Sequence, residues 1–329
     1  MAKLIALLRK YALLIIGILL FIVPYITTQY EFYVLERGVQ NAIHVLGLLI
    51  LIGYSGLLSL GSAALLATGA YTYGILLVKF GVSPWLGAGV SVAFTTLLGT
   101  CLALPAFRLA GPFLVVTTIG FGEIVRILLL NLEPLTGGAY GLSGFDSLLP
   151  NDRWIYYLMV VTLLLVAVGT QRIGKSRLGL ALKSLREDEV AAEVMGVNVR
   201  RAKTVAFALS AMLAGLSGVF LANLTGYMSP DSFTSAESTT YLLMVVMGGM
   251  RNVVGVIISS IVVTCLPEVL RFLSSSRLLV YSLVLLIYLR MEYVKSSRVS
   301  FVGIRQMLNF GRNGKAGTGG GERHGRTTE

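Results

Sequence analysis

The sequence has 329 residues, 55% of them apolar and only 13% charged, with a formal net charge of +11 and a mean hydropathy of +0.80. A soluble globular chain carries about 25% charged residues, and a transmembrane barrel alternates apolar and polar positions over strands of about 10 residues; neither pattern is present. The basic residues flank apolar runs instead of forming one basic face, which argues against nucleic acid as a partner and leaves an all-α, polytopic helical membrane protein of about 8–10 spans in a lipid bilayer.

In chain order the apolar runs cover about residues 11–28, 39–57, 60–79, 85–106, 112–132, 154–171, 204–223, 238–250, 253–270 and 277–290. The first follows Lys3, Arg9 and Lys10 and has no A-x-A cleavage signal, so it reads as a retained span. Residues 28–38 and the Gly-rich 133–153 are expected as outer loops. Residues 172–203 carry eight basic residues against four acidic ones and are expected inside, as are both termini. The run at 238–250 is too short to cross alone and reads as a broken or re-entrant element, which must be buried in protein. The polar, basic stretch 291–329 reads as a disordered cytoplasmic tail beyond a membrane domain at 1–290.

Polar positions inside the runs are the candidates for function. Gly53, Gly56, Ser59, Gly61 and Ser62 cluster where the second and third runs meet, and Ser210, Ala214 and Gly218 recur four apart in another run. Such small residues permit close helix approach, and they can also line a narrow path between helices. Glu123 and Arg126 sit three apart within a span, where ionisable groups are functional candidates by default, although that spacing also allows mutual pairing. Thr117 and Thr118 add polar groups just before them. His44 is a lone histidine expected to pack, and Glu268 is expected to pair with Arg271.

GTQRIGKS (169–176) matches G-x-x-x-x-G-K-[ST], a phosphate-cradling loop. That loop needs a strand before it and a second strand ending in a Mg²⁺-binding acid. Here the preceding run suits a membrane helix. None of the four aspartates, Asp146, Asp152, Asp188 and Asp231, ends an apolar strand. The stretch reads as a helix end whose Arg172 and Lys175 snorkel to the headgroups. Beyond it, Ser184 and Glu187 have capping-box spacing, so a short amphipathic helix is expected from Ser184 to Gly196. Glu187, Asp188 and Glu189 would fall in its first turn, Val190, Ala191, Val194 and Met195 on one apolar stripe, and Gly196 at its C-cap. Three acidic residues would repel an anionic leaflet, so docking into a groove of a partner protein is the favoured reading.

REDEVAAEVMGVNVRRAK followed by AFALSAMLAGLSGVFLANLTGYMSPDSF resembles the M-type (LivM-like) permease subunit of branched-chain amino-acid ABC importers, as do GYSGLLSLGSAALLATGAY, LTGGAYGL and ESTTYLLMVVMGGMRNVVG. The resemblance covers roughly residues 40 to 290. It departs at SLGSAAL, where Ser62 replaces a frequent His, and after the last span, where an R-P-x-G-like ending is missing.

The resemblance implies a type II ABC importer-like permease in a prokaryotic cell membrane that performs no bond chemistry itself. Its coupling helix would engage a separate ATPase subunit through Arg186, Glu187, Asp188, Glu189, Ala191, Ala192, Glu193 and Gly196. The ATPases would hold ATP and Mg²⁺, with no cofactor or metal on this chain. A second homologous permease subunit and an extracytoplasmic substrate-binding protein complete the implied assembly. Gly53, Gly56, Ser59, Ser62, Thr117, Thr118, Glu123 and Arg126 are the candidate translocation path. Branched-chain or other hydrophobic amino acids are the expected substrates, with urea or short amides as the alternative within the family. Outside it, an ion-coupled secondary transporter or a membrane receptor remains open.

Overall fold

Among the described residues, six helices are long and apolar enough to cross a membrane. In the computed structural model, residues 13, 16–25, 29–107, 111–145, 147–149 and 151–269 are described. They fall within one compact unit, residues 1–272. The expected span at 277–290, the tail, and the pairing of Glu268 with Arg271 lie outside the described residues.

The chain is helical at 16–22 and then forms α1 (Gln29–Leu48), which continues as a π-helical turn, Leu49–Tyr54. Next come α2 (Ser62–Phe80), α3 (Pro84–Ala106) and α4 (Pro112–Asn131). After a looped segment follow α5 (Asp152–Lys175), α6 (Arg177–Glu187) and α7 (Glu189–Val194). The remainder is α8 (Val199–Thr225), α9 (Ser235–Gly248) and α10 (Val253–Val269). Local signals account for several starts. Proline occupies the first turn of α3 and α4, where its missing N–H costs nothing. Asn151 and Asn198 cap α5 and α8 through their side-chain oxygens.

Two expectations need correction. Residues 29–37 are not an outer loop but the first turns of α1; their charges suggested a loop, yet Glu36 is buried against the bundle. The 172–203 segment is not one loop with one helix. α5 runs to Lys175, α6 follows, and only α7 corresponds to the expected amphipathic helix.

α8 is the centre of the bundle. Its stripe Ala206, Ser210, Ala214 and Gly218 is buried, with Leu65 and Phe121 packed on Ala211 and Ala214. Close approach is tightest where Gly69 of α2 crosses Gly215: a Cβ on Gly69 would lie 2.6 Å from the Gly215 Cα. Small residues let backbones meet in this way where lipid supplies no hydrophobic drive. Buried polar groups tie the same helices together. Gln40 donates to the Ser217 hydroxyl at 2.7 Å, and Ser217 donates back to the Gln40 carbonyl at 2.8 Å.

Helix ends sort to two levels. At one, the Tyr54 hydroxyl meets the Thr170 carbonyl at 3.4 Å and Lys203 of α8 reaches the Ala106 carbonyl that ends α3. At the other, β1 (Leu142–Ser143) pairs antiparallel with β2 (Tyr227–Met228), and the Leu148 N–H donates to Asn223. α9 has 14 residues, about 21 Å at 1.5 Å per residue, too short for a 30 Å hydrocarbon core. It starts inside the bundle, where its Ser238 hydroxyl accepts from the Ala63 N–H at 3.0 Å. Ser238, Tyr241, Met244 and Val245 are buried.

Candidate functional site

The end of the bundle that holds Tyr54, Lys203 and Arg251 also carries α6 and α7. Ser176 closes α5 and caps α6, accepting from the Gly179 N–H at 3.3 Å. GTQRIGKS is therefore two helical turns and a cap, with its backbone N–H groups used within α5, and not an open loop. α6 is held by Leu182 and Leu185, both buried.

The chain then breaks at Asp188, whose extended backbone (φ −158°, ψ 118°) separates α6 from α7. Its carboxylate accepts the Ala191 N–H at 2.9 Å. This corrects the expected start at Ser184, whose hydroxyl instead donates to the Leu180 and Ala181 carbonyls inside α6. The three acidic residues consequently separate. Glu187 ends α6, Asp188 caps α7 and Glu189 opens it.

α7 ends in a Schellman motif. The Val197 N–H bonds the Ala192 carbonyl and the Gly196 N–H bonds the Glu193 carbonyl, both at 3.0 Å. Gly196 has φ +86°, the left-handed value that this cap requires. Only Ala192 of the helix is buried. Val190, Val194 and Met195 are 72%, 81% and 83% exposed, and Ala191 and Glu193 are exposed beside them.

Behind that open face α7 is tethered. Glu189 forms an ion pair of 2.7 Å with Lys203, whose side chain is only 1% exposed. The same ammonium donates to the Ala106 carbonyl at 3.0 Å, so one side chain joins α7, α8 and α3. The sequence counted Lys203 as an anchoring charge and missed this role. A signal was present: Lys203 lies four residues before Phe207, on the buried stripe of α8.

Arg186 also points inward. Its guanidinium donates to the Gly53 carbonyl at 2.5 Å and to the Met250 sulfur at 3.3 Å. Gly56, at φ +73°, makes room for it: a Cβ there would lie 2.9 Å from the Arg186 Cγ. Glu187 pairs with Arg251 at 2.7 Å. Arg186 therefore joins two residues expected on the path, Gly53 and Gly56, to the loop expected to meet a partner.

The path candidates divide into two groups. Residues 53–62 form a strap between α1 and α2, with Ser59 and Ser62 buried and the Ser62 hydroxyl without a hydrogen-bond partner. Thr118 accepts the Leu60 N–H at 3.0 Å, which joins α4 to the strap. Thr117 is bonded to its own helix at the Phe113 carbonyl instead. Glu123 and Arg126 pair with each other at 2.8 Å, and Arg126 also reaches Asp231 at 3.0 Å. That pairing fastens α4 to the turn before α9, a connection the local spacing did not reveal. His44 packs edge-on against Tyr241, ring centroids 4.6 Å apart. Among the described residues no three His, Cys, Asp or Glu side chains converge as a metal site would require.

Comparison with known proteins bears on this arrangement. The family model described as branched-chain amino acid transport system / permease component matches residues 30–289. The chain is 38% identical over 256 residues to the high-affinity branched-chain amino acid transport system permease protein LivM of Escherichia coli (strain K12), over 69% of this chain and 60% of that protein. It is 37% identical to the Salmonella typhimurium protein of the same description, with the same coverage. It is 23% identical over 243 residues to a probable branched-chain amino acid transport permease protein LivM of Methanocaldococcus jannaschii, over 62% of this chain and 70% of that one. The chain thus spans 60% of the length of the first two relatives. No solved structure matches it.

Proposed function

The chain belongs to the permease components of branched-chain amino acid transport systems, and from that membership we propose that it is the membrane subunit of an ATP-driven importer of branched-chain or other hydrophobic amino acids. It pairs with a second, homologous permease subunit in the cell membrane, with both of its termini on the cytoplasmic side. The pair recruits two ATPase subunits, one of which docks at α7, and an extracytoplasmic binding protein delivers the substrate. The ATPases hold ATP and Mg²⁺; this chain contributes shape and motion, not bond chemistry.

The observation that carries this reading is α7 itself. A six-residue helix and its C-cap that leave three large apolar side chains exposed forgo the burial term, about 1.5–3 kcal/mol for each such side chain. A partner's groove recovers that term. Displacement of α7 is also felt inside the membrane. The Lys203 ammonium ties α7 to the ends of α8 and α3, and Arg186 ties α6 to the strap that carries Ser59 and Ser62. Nucleotide-driven movement of the ATPases would thereby bias two arrangements of the strap, the two-state element that alternating access needs.

Reconstitution of the chain with its partner permease, ATPases and binding protein tests the reading. ATP-dependent uptake of leucine, isoleucine or valine is the expected result. Uptake that persists without the ATPases, driven by an ion gradient, would contradict it. ATP-dependent uptake of urea or short amides in place of amino acids would overturn the substrate and leave the permease role standing.

A further inference from the structure

A cavity of about 340 Å³ opens at the α6–α7 end of the bundle, where the π-helical end of α1, the last turn of α5, α6 and the start of α10 meet. Its lining includes Tyr54, Gln171, Lys175, Lys183, Arg251 and Asn252. Three of these six carry positive charge, and among the described residues the lining holds no acidic one. Lys183 donates to the Gly174 carbonyl and lies 5.6 Å from the centre of the Tyr54 ring. Both contacts orient its ammonium without neutralising it. Arg251 pairs with Glu187, but both side chains are largely exposed, and such a pair holds only weakly. Lys175 projects at the end of α5. Val253 and Val254 add the first turn of α10, whose unpaired N–H groups and positive dipole end favour an anion.

The geometry points to a binding site for a phosphate-bearing anion in this cavity, held by Lys175, Lys183 and Arg251. Three cations against one displaceable carboxylate leave net positive charge that a phosphate neutralises through charge-assisted hydrogen bonds. The cavity does not suit the amino-acid substrate proposed above, because no acidic side chain lines it to take an ammonium group. It lies at the ends of spanning helices beside the basic residues, the level at which anionic headgroups of the cytoplasmic leaflet attract Lys and Arg. An anionic phospholipid headgroup and free phosphate share the recognising chemistry. GTQRIGKS contributes Gln171, Gly174 and Lys175 to the wall, so its lysine meets a phosphate from the end of a helix and not from a nucleotide-binding loop.

The readout is binding to the full chain, so it stands or falls independently of transport. Purified, delipidated protein is titrated with phosphatidylglycerol and with phosphatidylcholine, and bound lipid is counted by native mass spectrometry. A parallel titration uses inorganic phosphate against chloride at matched ionic strength. Phosphatidylglycerol is expected to bind more tightly than phosphatidylcholine. Lys175→Gln with Arg251→Gln weakens it about ten-fold or more, at about 1 kcal/mol per basic residue plus the lost geometry. Lys175→Gln alone, at an exposed position that holds no structure together, weakens it by a smaller factor. Lys175→Arg retains binding. If phosphate alone shows this dependence on Lys175 and Arg251, the ligand is the free anion. If neither ligand depends on these residues, or if Lys79→Gln at the last turn of α2 weakens phosphatidylglycerol equally, the site does not exist.

Discussion

α7 and α8 are both helices with a regular stripe of apolar or small residues, and they use it in opposite ways. On α8 the stripe from Ala206 to Gly218 is spent inside the protein, against α1, α2 and α3. On α7 and its C-cap the stripe of Val190, Val194 and Met195 is exposed, and Ala192 is the one residue of the helix that is buried. The stabilisation that a stripe offers is thus internal in one helix and still available to a partner in the other. Residue size separates them. Glycine, alanine and serine on α8 bring helix backbones into contact, whereas the larger side chains of α7 suit a groove on another protein.

Substitutions sharpen that contrast, and the largest effect belongs to α8. Gly69→Val or Gly215→Val places a branched side chain where two backbones touch. The expected cost is about 3 kcal/mol, the upper part of the range for overpacked cores, read as a lowered midpoint of thermal unfolding in detergent. Next comes the tether between the helices. Glu189→Gln leaves Lys203 buried and without its counter-ion. Removing one partner of a fully buried pair costs 3–5 kcal/mol, but the Glu189 side chain is 38% exposed, so about 2 kcal/mol is expected. Lys203→Met together with Glu189→Gln should recover most of that loss in the same melting experiment. Smaller again is the cap. Asp188→Ala removes the acceptor for the Ala191 N–H and costs about 1 kcal/mol, confined to α7. Hydrogen exchange should speed up at Ala191 while amides in α8 keep their protection. Smallest in stability is Val194→Asp, within about 0.5 kcal/mol of the parent, because that side chain is 81% exposed.

Legibility in the sequence followed the distance between interacting residues. The runs read at 85–106 and 112–132 became Pro84–Ala106 and Pro112–Asn131, since apolar length and helix-starting prolines are local signals. Gly196 was placed at a helix end by the same kind of signal. The capping-box spacing at Ser184 misled, because Ser176 already starts a helix that runs through Ser184 and Asp188 caps the next one. Partners far apart in sequence were not legible. Arg186 finds Gly53 across 133 positions, Lys203 finds Ala106 across 97, and Arg126 finds Asp231 across 105. Nothing in a local window marks such pairs. A lysine on a buried stripe and a glycine beside an arginine's eventual position are the traces they leave. The charged start of α1 misled for a related reason, since Glu36 lies in the bundle and not in a loop.

The central claim, that α7 is an unpartnered docking helix and not an interfacial one, rests on its open apolar face. It is tested most directly by co-purifying the ATPase subunits with this chain carrying Val194→Asp and Met195→Asp together. The account predicts that the variant keeps the parent's melting temperature and membrane insertion yet no longer retains the ATPases. A variant that retains them at the parent's stoichiometry would contradict it.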